Sequence, residues 1–349
     1  MPVYKKSLKK IILCGIIMVL ILVAALTVRA VHWDKSIIVA GGFIHTEMEQ
    51  VSEETTTGLN NDDSYELEER FQRPSKLPAI KLKYTFAPKD EDKVPPYIAE
   101  GFPAIYQSPE DLIEAYYAIL KSAANMKGYT GGCGTILWMD IPYPYAYQLF
   151  SHEFKEKVSL KEFKNSFRGT GTINLVHLEP AFKPAGTPDN IKYYFTEIEV
   201  LKGYKEKKNG KTDLDQPNYF EYYYGIIATE YDQNQGWKIK SVDYLPEIYL
   251  CHPLHGWDYF YDVMIDIIYN NWYGMNLKIN HTEEQNNYIK VYASNSVNQY
   301  RFDFVRLTNG DDVLLHEYVK ENDEWKEISI LKPDDEKRYK ISAGKFYNE

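Results

Sequence analysis

Cysteine is scarce in this chain, with only Cys14, Cys133 and Cys251 among 349 residues. Cys14 falls inside an apolar run, and the remaining two are no disulfide framework: Cys133 and Cys251 are either one bridge or two buried thiols. Positive charge is also in deficit. The formal net charge is −10, and residues 1–35 hold six basic side chains against one acidic, which leaves −15 on the rest. A surface of that sign repels phosphate backbones and argues against a nucleic-acid partner. The glycine-rich stretch Tyr129–Gly134 (YTGGCG) lacks the lysine and spacing of a phosphate-binding loop and reads as a flexible connection. No Ser-His-Asp or Cys-His set can be assembled from the sequence, and nothing in it implies a cofactor.

One stretch lacks charge altogether, and it is the first strong signal present. Ile11–Val28 is eighteen residues long and follows Lys5, Lys6, Lys9 and Lys10. At ~1.5 Å per residue it covers ~27 Å, enough for a bilayer's hydrocarbon core. The preceding lysines predict a signal-anchor with residues 1–10 cytoplasmic and the body extracytoplasmic, in a single-pass cell-membrane protein. A cleaved signal is the competing reading, with Val28-Arg29-Ala30 as its site, although its apolar region is normally only ~7–15 residues. So few cysteines outside a single anchor suit a bacterial envelope.

After the anchor, Ser36–Phe43 is a short apolar run, either a strand or a continuation of the span. Glu47–Glu69 holds nine acidic residues and no Lys or Arg, and reads as a self-repelling, disordered tether. Leu77–Gly101, with Pro78, Pro88, Pro95 and Pro96, predicts an extended lead-in laid onto a domain. Residues 29–107 thus form a tether and lead-in.

Folded structure is expected from Ser108. Ser108-Pro109-Glu110-Asp111 supplies an N-cap, a first-turn proline and first-turn acids, and Leu112, Tyr116, Ile119 and Ala123 share a helix face. Shorter helices are expected at Tyr143–His152 and Leu160–Phe167, the second opened by the capping box Ser159/Glu162. Alternation then predicts strands at Gly171–Glu179, Lys192–Leu201, Tyr219–Tyr231 and Gly236–Tyr244. A second unit, residues 251–335, predicts a helix capped by Asp258, then strands at Tyr288–Ala293, Gln299–Leu307, Val313–Val319 and Glu324–Ile330. Asn309-Gly310 marks one hairpin. Residues 336–349 read as a tail. The class is α+β.

The helix SPEDLIEAYYAIL, the closing hairpin EYDQNQGWKIKSVDYLP and the order of helices before a meander resemble the NTF2-like superfamily over Ser108–Pro246. The resemblance implies a curved sheet wrapped around helices into a cone, on residues 108–250, and members include isomerases and dehydratases. It also implies that a catalytic group would point into the cone, where burial raises a carboxylate pKa. Asp140, His177, Glu221 and Asp243 are the candidates for such a group. Simple alternation puts Asp243 on one face with Trp237, Ile239, Ser241 and Leu245. Each has a plainer reading as a surface ion pair or turn cap. Cys251, His252 and His255 have metal-ligand chemistry but supply three ligands where structural zinc needs four, and an interdomain turn explains them equally well.

The thirty-one tyrosines fit half-buried strand positions, with an aromatic sugar-binding platform as the sharper alternative. The expectation is a membrane-anchored extracytoplasmic protein with a non-catalytic binding or assembly role, toward an envelope protein or cell-wall glycan. A pocket enzyme on a small apolar substrate and a ligand-binding sensor subunit are the alternatives.

Overall fold

The computed structural model describes residues 37–44, 75, 77–89, 94–130, 138–184, 186–205, 219–247, 260–339 and 341–343. The chain divides into two compact units, and apart from Ile37 everything described lies in the one formed by Ile38–Ile44 and Asn60–Glu349. Among the described residues no helix is long and apolar enough to cross a membrane. The expected span Ile11–Val28 and the acidic tether Glu47–Glu69 lie outside them.

The fold is α+β, with two main sheets and few helices. A six-stranded sheet has the order β1-β2-β8-β7-β5-β4. Its strands are β1 (Ile37–Val39), β2 (Gly42–Ile44), β4 (Thr170–Pro180), β5 (Ile191–Lys202), β7 (Tyr219–Asp232) and β8 (Gly236–Pro246), while β3 (Tyr129–Thr130) and β6 (Tyr204–Lys205) form a separate ribbon. β4, β5, β7 and β8 are an antiparallel meander, and β2 adds to β8 in parallel. Ser36–Phe43 therefore contains two strands with a turn at Ala40 and Gly41. Gly41 has φ +82°, and a β-carbon there would sit 2.5 Å from the Tyr116 hydroxyl, so only glycine turns the chain at that place.

Helix α1 (Pro109–Lys121) is capped by the Ser108 hydroxyl, which accepts from the Asp111 N–H, and buries Leu112, Ile113, Tyr116, Tyr117, Ile119 and Leu120. The expected helix Tyr143–His152 is two: α2 (Tyr143–Gln148) and α3 (His152–Lys157). The break has a cause. Ser151 caps α3, and its N–H and the Leu149 carbonyl both pair with Ile239 of β8, so the backbone at 149–151 serves the sheet and not a helix. Helix α4 (Leu160–Asn165) opens with the complete Ser159/Glu162 capping box. These helices and one face of the sheet enclose a core of Tyr116, Tyr117, Phe150, Phe163, Phe167 and Tyr244, with Phe86, Ala99 and Tyr106 of the lead-in buried against it.

The second sheet, β13-β12-β11-β10-β9, is wholly antiparallel. It comprises β9 (Lys278–Gln285), β10 (Tyr288–Ser294), β11 (Gln299–Arg306), β12 (Asp312–Glu321) and β13 (Glu324–Ile328). β9 escapes sequence reading because KINHTEEQ is an edge strand exposed on both faces and has no apolar alternation. One face buries Ile289, Val291, Phe302, Phe304 and Leu314 under helix α5 (Tyr261–Met264) and its π-helical continuation Ile265–Trp272. That helix starts at Tyr261, and Asp258, the expected cap, lies outside the described residues. The module also extends past residue 335, because α6 (Pro333–Tyr339) follows β13. Ile341 is core, and Leu314 N–H donates to its carbonyl at 3.2 Å.

A third cluster joins the two sheets. Phe195 and Ile226, on the face of the first sheet away from its helices, pack with Val305, Leu307, Val313, Leu315 and Ala343.

Candidate functional site

Two bulges decide which face of the first sheet His177 and Asp243 occupy. At β4 the register with β5 shifts between Leu175 and His177, so Leu175 enters the helix-side core while His177 pairs with Glu197 on the opposite face. At β8 the register with β7 shifts between Thr229–Ile239 and Ala228–Ser241, leaving Lys240 as the extra residue. Beyond that bulge Val242 and Tyr244 fill the core, and Asp243 lies opposite Ile226 on the outer face. The single uninterrupted alternation expected for Asp243 fails here, because one inserted residue exchanges the faces. Of the other two candidates, Asp140 is exposed and ion-paired with Lys164 at 2.9 Å. Glu221 accepts from the Tyr223 hydroxyl at 2.6 Å and lies 3.5 Å from Lys202.

Where the cone's cavity would be there is a packed core. Its rings meet edge to face, stacked and tilted: Tyr116 on Phe150 at 5.4 Å, Phe150 on Phe154 at 4.0 Å and Tyr143 on Phe167 at 4.7 Å, respectively. Where the lead-in packs on α2, the cavity lined by Tyr97, Phe102, Tyr145 and Leu149 is only about 60 Å³.

His177 instead belongs to a buried seam between the sheets. Its Nδ1 contacts Glu197 Oε2, and Glu197 Oε1 accepts the Thr308 N–H at 2.8 Å from the β11–β12 turn. Glu247, just past β8, accepts the Asn309 N–H at 3.3 Å and abuts Glu197. Burial pushes Glu197 up, but His177 and its other donors outweigh it and hold the carboxyl below its ordinary range. Burial, then the charge of Glu197, drive Glu247 well above its own. The two carboxyls are thus pushed in opposite directions, the charged form favoured at Glu197 and disfavoured at Glu247. His177 Nε2 and Glu247 Oε1 have no hydrogen-bond partner among the described residues. Both are shut away from solvent, so this cluster joins elements and does not meet substrate.

The open feature lies beside the seam. A cleft of about 560 Å³ runs between the end of β4 (Glu179, Pro180) and the exposed face of the second sheet, floored by Tyr288, Lys290, Asp303, His316 and Tyr318. The volume suits a small ligand or a few side chains of a partner. Its side chains are held in place. Arg301 forks onto Asp303 at 2.8 and 3.1 Å and lies 4.0 Å over the Tyr318 ring. His316 bridges Glu327 at 2.7 Å and the Pro180 carbonyl at 3.1 Å. Burial lowers the His316 pKa, but the Glu327 carboxylate more than offsets it and raises the imidazole above its ordinary value.

No protein-family model matches this sequence, and no match was found among curated proteins. Among solved structures the chain is similar to an "Ntf2 like protein involved in plasmid conjugation", at 10% identity, over 50% of this chain and 83% of that one, with a TM-score of 0.17. A superposition that loose equates no residue of this chain with a residue of that protein.

Among the described residues no group of three His, Cys, Asp or Glu side chains is arranged to hold a metal. Cys251, His252 and His255, and the partner thiol Cys133, lie outside them. The cleft is not legible in sequence because strand periodicity does not fix register between strands. Until the strands are paired, Lys290, Asp303 and His316 are polar positions on three separate expected strands; pairing sets them on one register line with Glu283. An aromatic platform for sugars has little free ring surface here. His281 stacks on Tyr292 at 4.2 Å and 11°, and Arg301 covers Tyr318.

Proposed function

We propose that this chain is a membrane-anchored, extracytoplasmic binding or assembly protein of a bacterial envelope, built on an NTF2-like helix-and-sheet domain whose cone serves as core and not as pocket. Its ligand or partner contacts the cleft on the second sheet. The observation that carries this reading is the contrast between a cone packed with Tyr116, Phe150, Phe163 and Phe167 and an open cleft of about 560 Å³ beside it. The NTF2-like part is supported by the order of a long helix, short helices and a four-strand meander wrapped on them. Anchoring and compartment rest on Ile11–Val28 and its flanking lysines. The pocket-enzyme alternative needs Asp243 or His177 inside the cone, and both are on the other face.

The test is a photocrosslinking residue at position 290, at the cleft, against one at position 157 on α3, in intact cells. Discrete adducts from 290 that are absent from 157 are expected, together with digestion of the body by externally added protease. Equal adduct patterns from both positions reject the cleft as the binding surface, and a protected body rejects the compartment.

A further inference from the structure

We propose that the turn Trp138–Ile141 and the cations of the segments bonded to it dock this protein onto a bilayer bearing anionic headgroups. Trp138, Met139 and Ile141 are 37%, 61% and 49% exposed, three large apolar side chains on one turn. They are not a loose tip. The Ala124 N–H donates to the Met139 carbonyl at 2.8 Å, the Trp138 N–H to the Ser122 carbonyl at 3.3 Å and the Ile141 N–H to the Trp138 carbonyl at 3.1 Å. The turn then runs directly into buried Tyr143. Met139 has φ +49°, a region that bulky side chains avoid, and its side chain nonetheless points into water. Packing among the described residues does not compensate that local cost.

Charge identifies the occupant. Backbone bonds join the turn to the end of α1 and to the loop after α4: Asn125 Nδ2 donates to the Lys164 carbonyl at 2.7 Å, and the Gly169 N–H to the Asn125 carbonyl at 2.8 Å. The segments so bonded carry Lys121, Lys127, Lys161 and Arg168, all exposed, and Lys164, which pairs with Asp140 of the turn itself at 2.9 Å. Among the described residues of these segments the acids are Asp140, held by Lys164, and Glu162, held in its capping box. Five cations on the turn's bonded segments, beside an exposed tryptophan, methionine and isoleucine, are a local basic excess on a chain of net charge −10. It is the composition of a lipid interface, where indole sits at headgroup depth and lysine stems reach past it to phosphates.

The experiment uses the full chain reconstituted with vesicles of brominated lipid, either purely phosphatidylcholine or containing phosphatidylglycerol. The readout is the tryptophan quenching lost in Trp138→Phe, which isolates this indole from the other five. Trp138-dependent quenching is expected only with the anionic lipid. It should weaken with salt and fall about fivefold in docking equilibrium for each of Lys121→Gln, Lys127→Gln and Arg168→Gln. These exposed positions leave the fold intact, which an unchanged denaturation midpoint verifies. Identical quenching of wild type and Trp138→Phe overturns the proposal and leaves the turn to a protein partner. Quenching that ignores the anionic lipid removes the role of the cations and overturns it equally. A chain that fails to float with neutral vesicles rejects the anchor Ile11–Val28, whereas one that floats with Trp138 unquenched rejects only this docking surface.

Discussion

Asp243 shows how much one side chain's environment can differ from its sequence context. Its carboxyl is buried on the outer face of the first sheet, and desolvation raises its pKa to about 7, against a smaller lowering by the Ser241 hydroxyl. A raised folded-state pKa means that stability is fully present below the unfolded value near 3.8 and lost as pH rises through about 7. The whole shift corresponds to at most ~4 kcal/mol. Asp243→Asn, which is uncharged at every pH, should therefore leave stability at pH 4 little changed, raise it at pH 8 and flatten the profile between, as read by urea denaturation. A mutant profile parallel to wild type would show that the charged form is not disfavoured. The alternation reading identified this aspartate as buried beside apolar neighbours and chose the wrong face, since a bulge leaves no mark in composition.

Among elements, β7 and β8 depend on close approach at Gly225. A β-carbon there would run into the Asp243 carbonyl oxygen, a backbone atom that cannot swing aside. Gly225→Ala should thus cost at least ~3 kcal/mol, more than an ordinary overpacked core site, and show as accelerated amide exchange on both strands. An exchange pattern equal to wild type would show that the ladder relaxes without strain. Elements with strong local signals are legible in sequence: α1 from Ser108-Pro109 and its apolar face, α4 from the Ser159/Glu162 box, and β11 from Tyr300, Phe302 and Phe304. Those without are not. β9 has no buried face, and the α2–α3 break follows from a pairing with Ile239, nearly ninety positions away in the chain.

For the whole molecule the question is how the second sheet stays on the first. Apolar contact through Phe195, Ile226, Val305 and Leu315 supplies area, and the seam of His177, Glu197 and Glu247 supplies register, since both glutamates accept backbone N–H groups of the β11–β12 turn. The two carboxyls should respond differently. Glu197→Gln removes the charge that His177 and the Thr308 N–H meet, and should cost about 3 kcal/mol. Glu247→Gln replaces a group whose charged form burial disfavours, and should cost less than Glu197→Gln, the difference growing as pH rises above 4.5. With Glu197 lowered, its contribution fades as pH falls below the ordinary glutamate value of 4.5; with Glu247 raised, its contribution fades as pH climbs above that value. Equal losses in the two variants would refute this difference between them.

What the amino-acid sequence determined alone is whatever rests on neighbours in the chain: an uncharged run after lysines, an acidic excess, capped amphipathic helices, an α+β order and alternating strands. Such patterns act over a few residues, through helix periodicity, pleating and capping. Tertiary structure alone decided which face each strand presents, that aromatic side chains fill the space between the helices and the first sheet, and that a cleft opens on the other sheet. Those outcomes depend on bulges and on contacts between residues far apart in sequence, where a shift of a single position moves a side chain from one environment to its opposite.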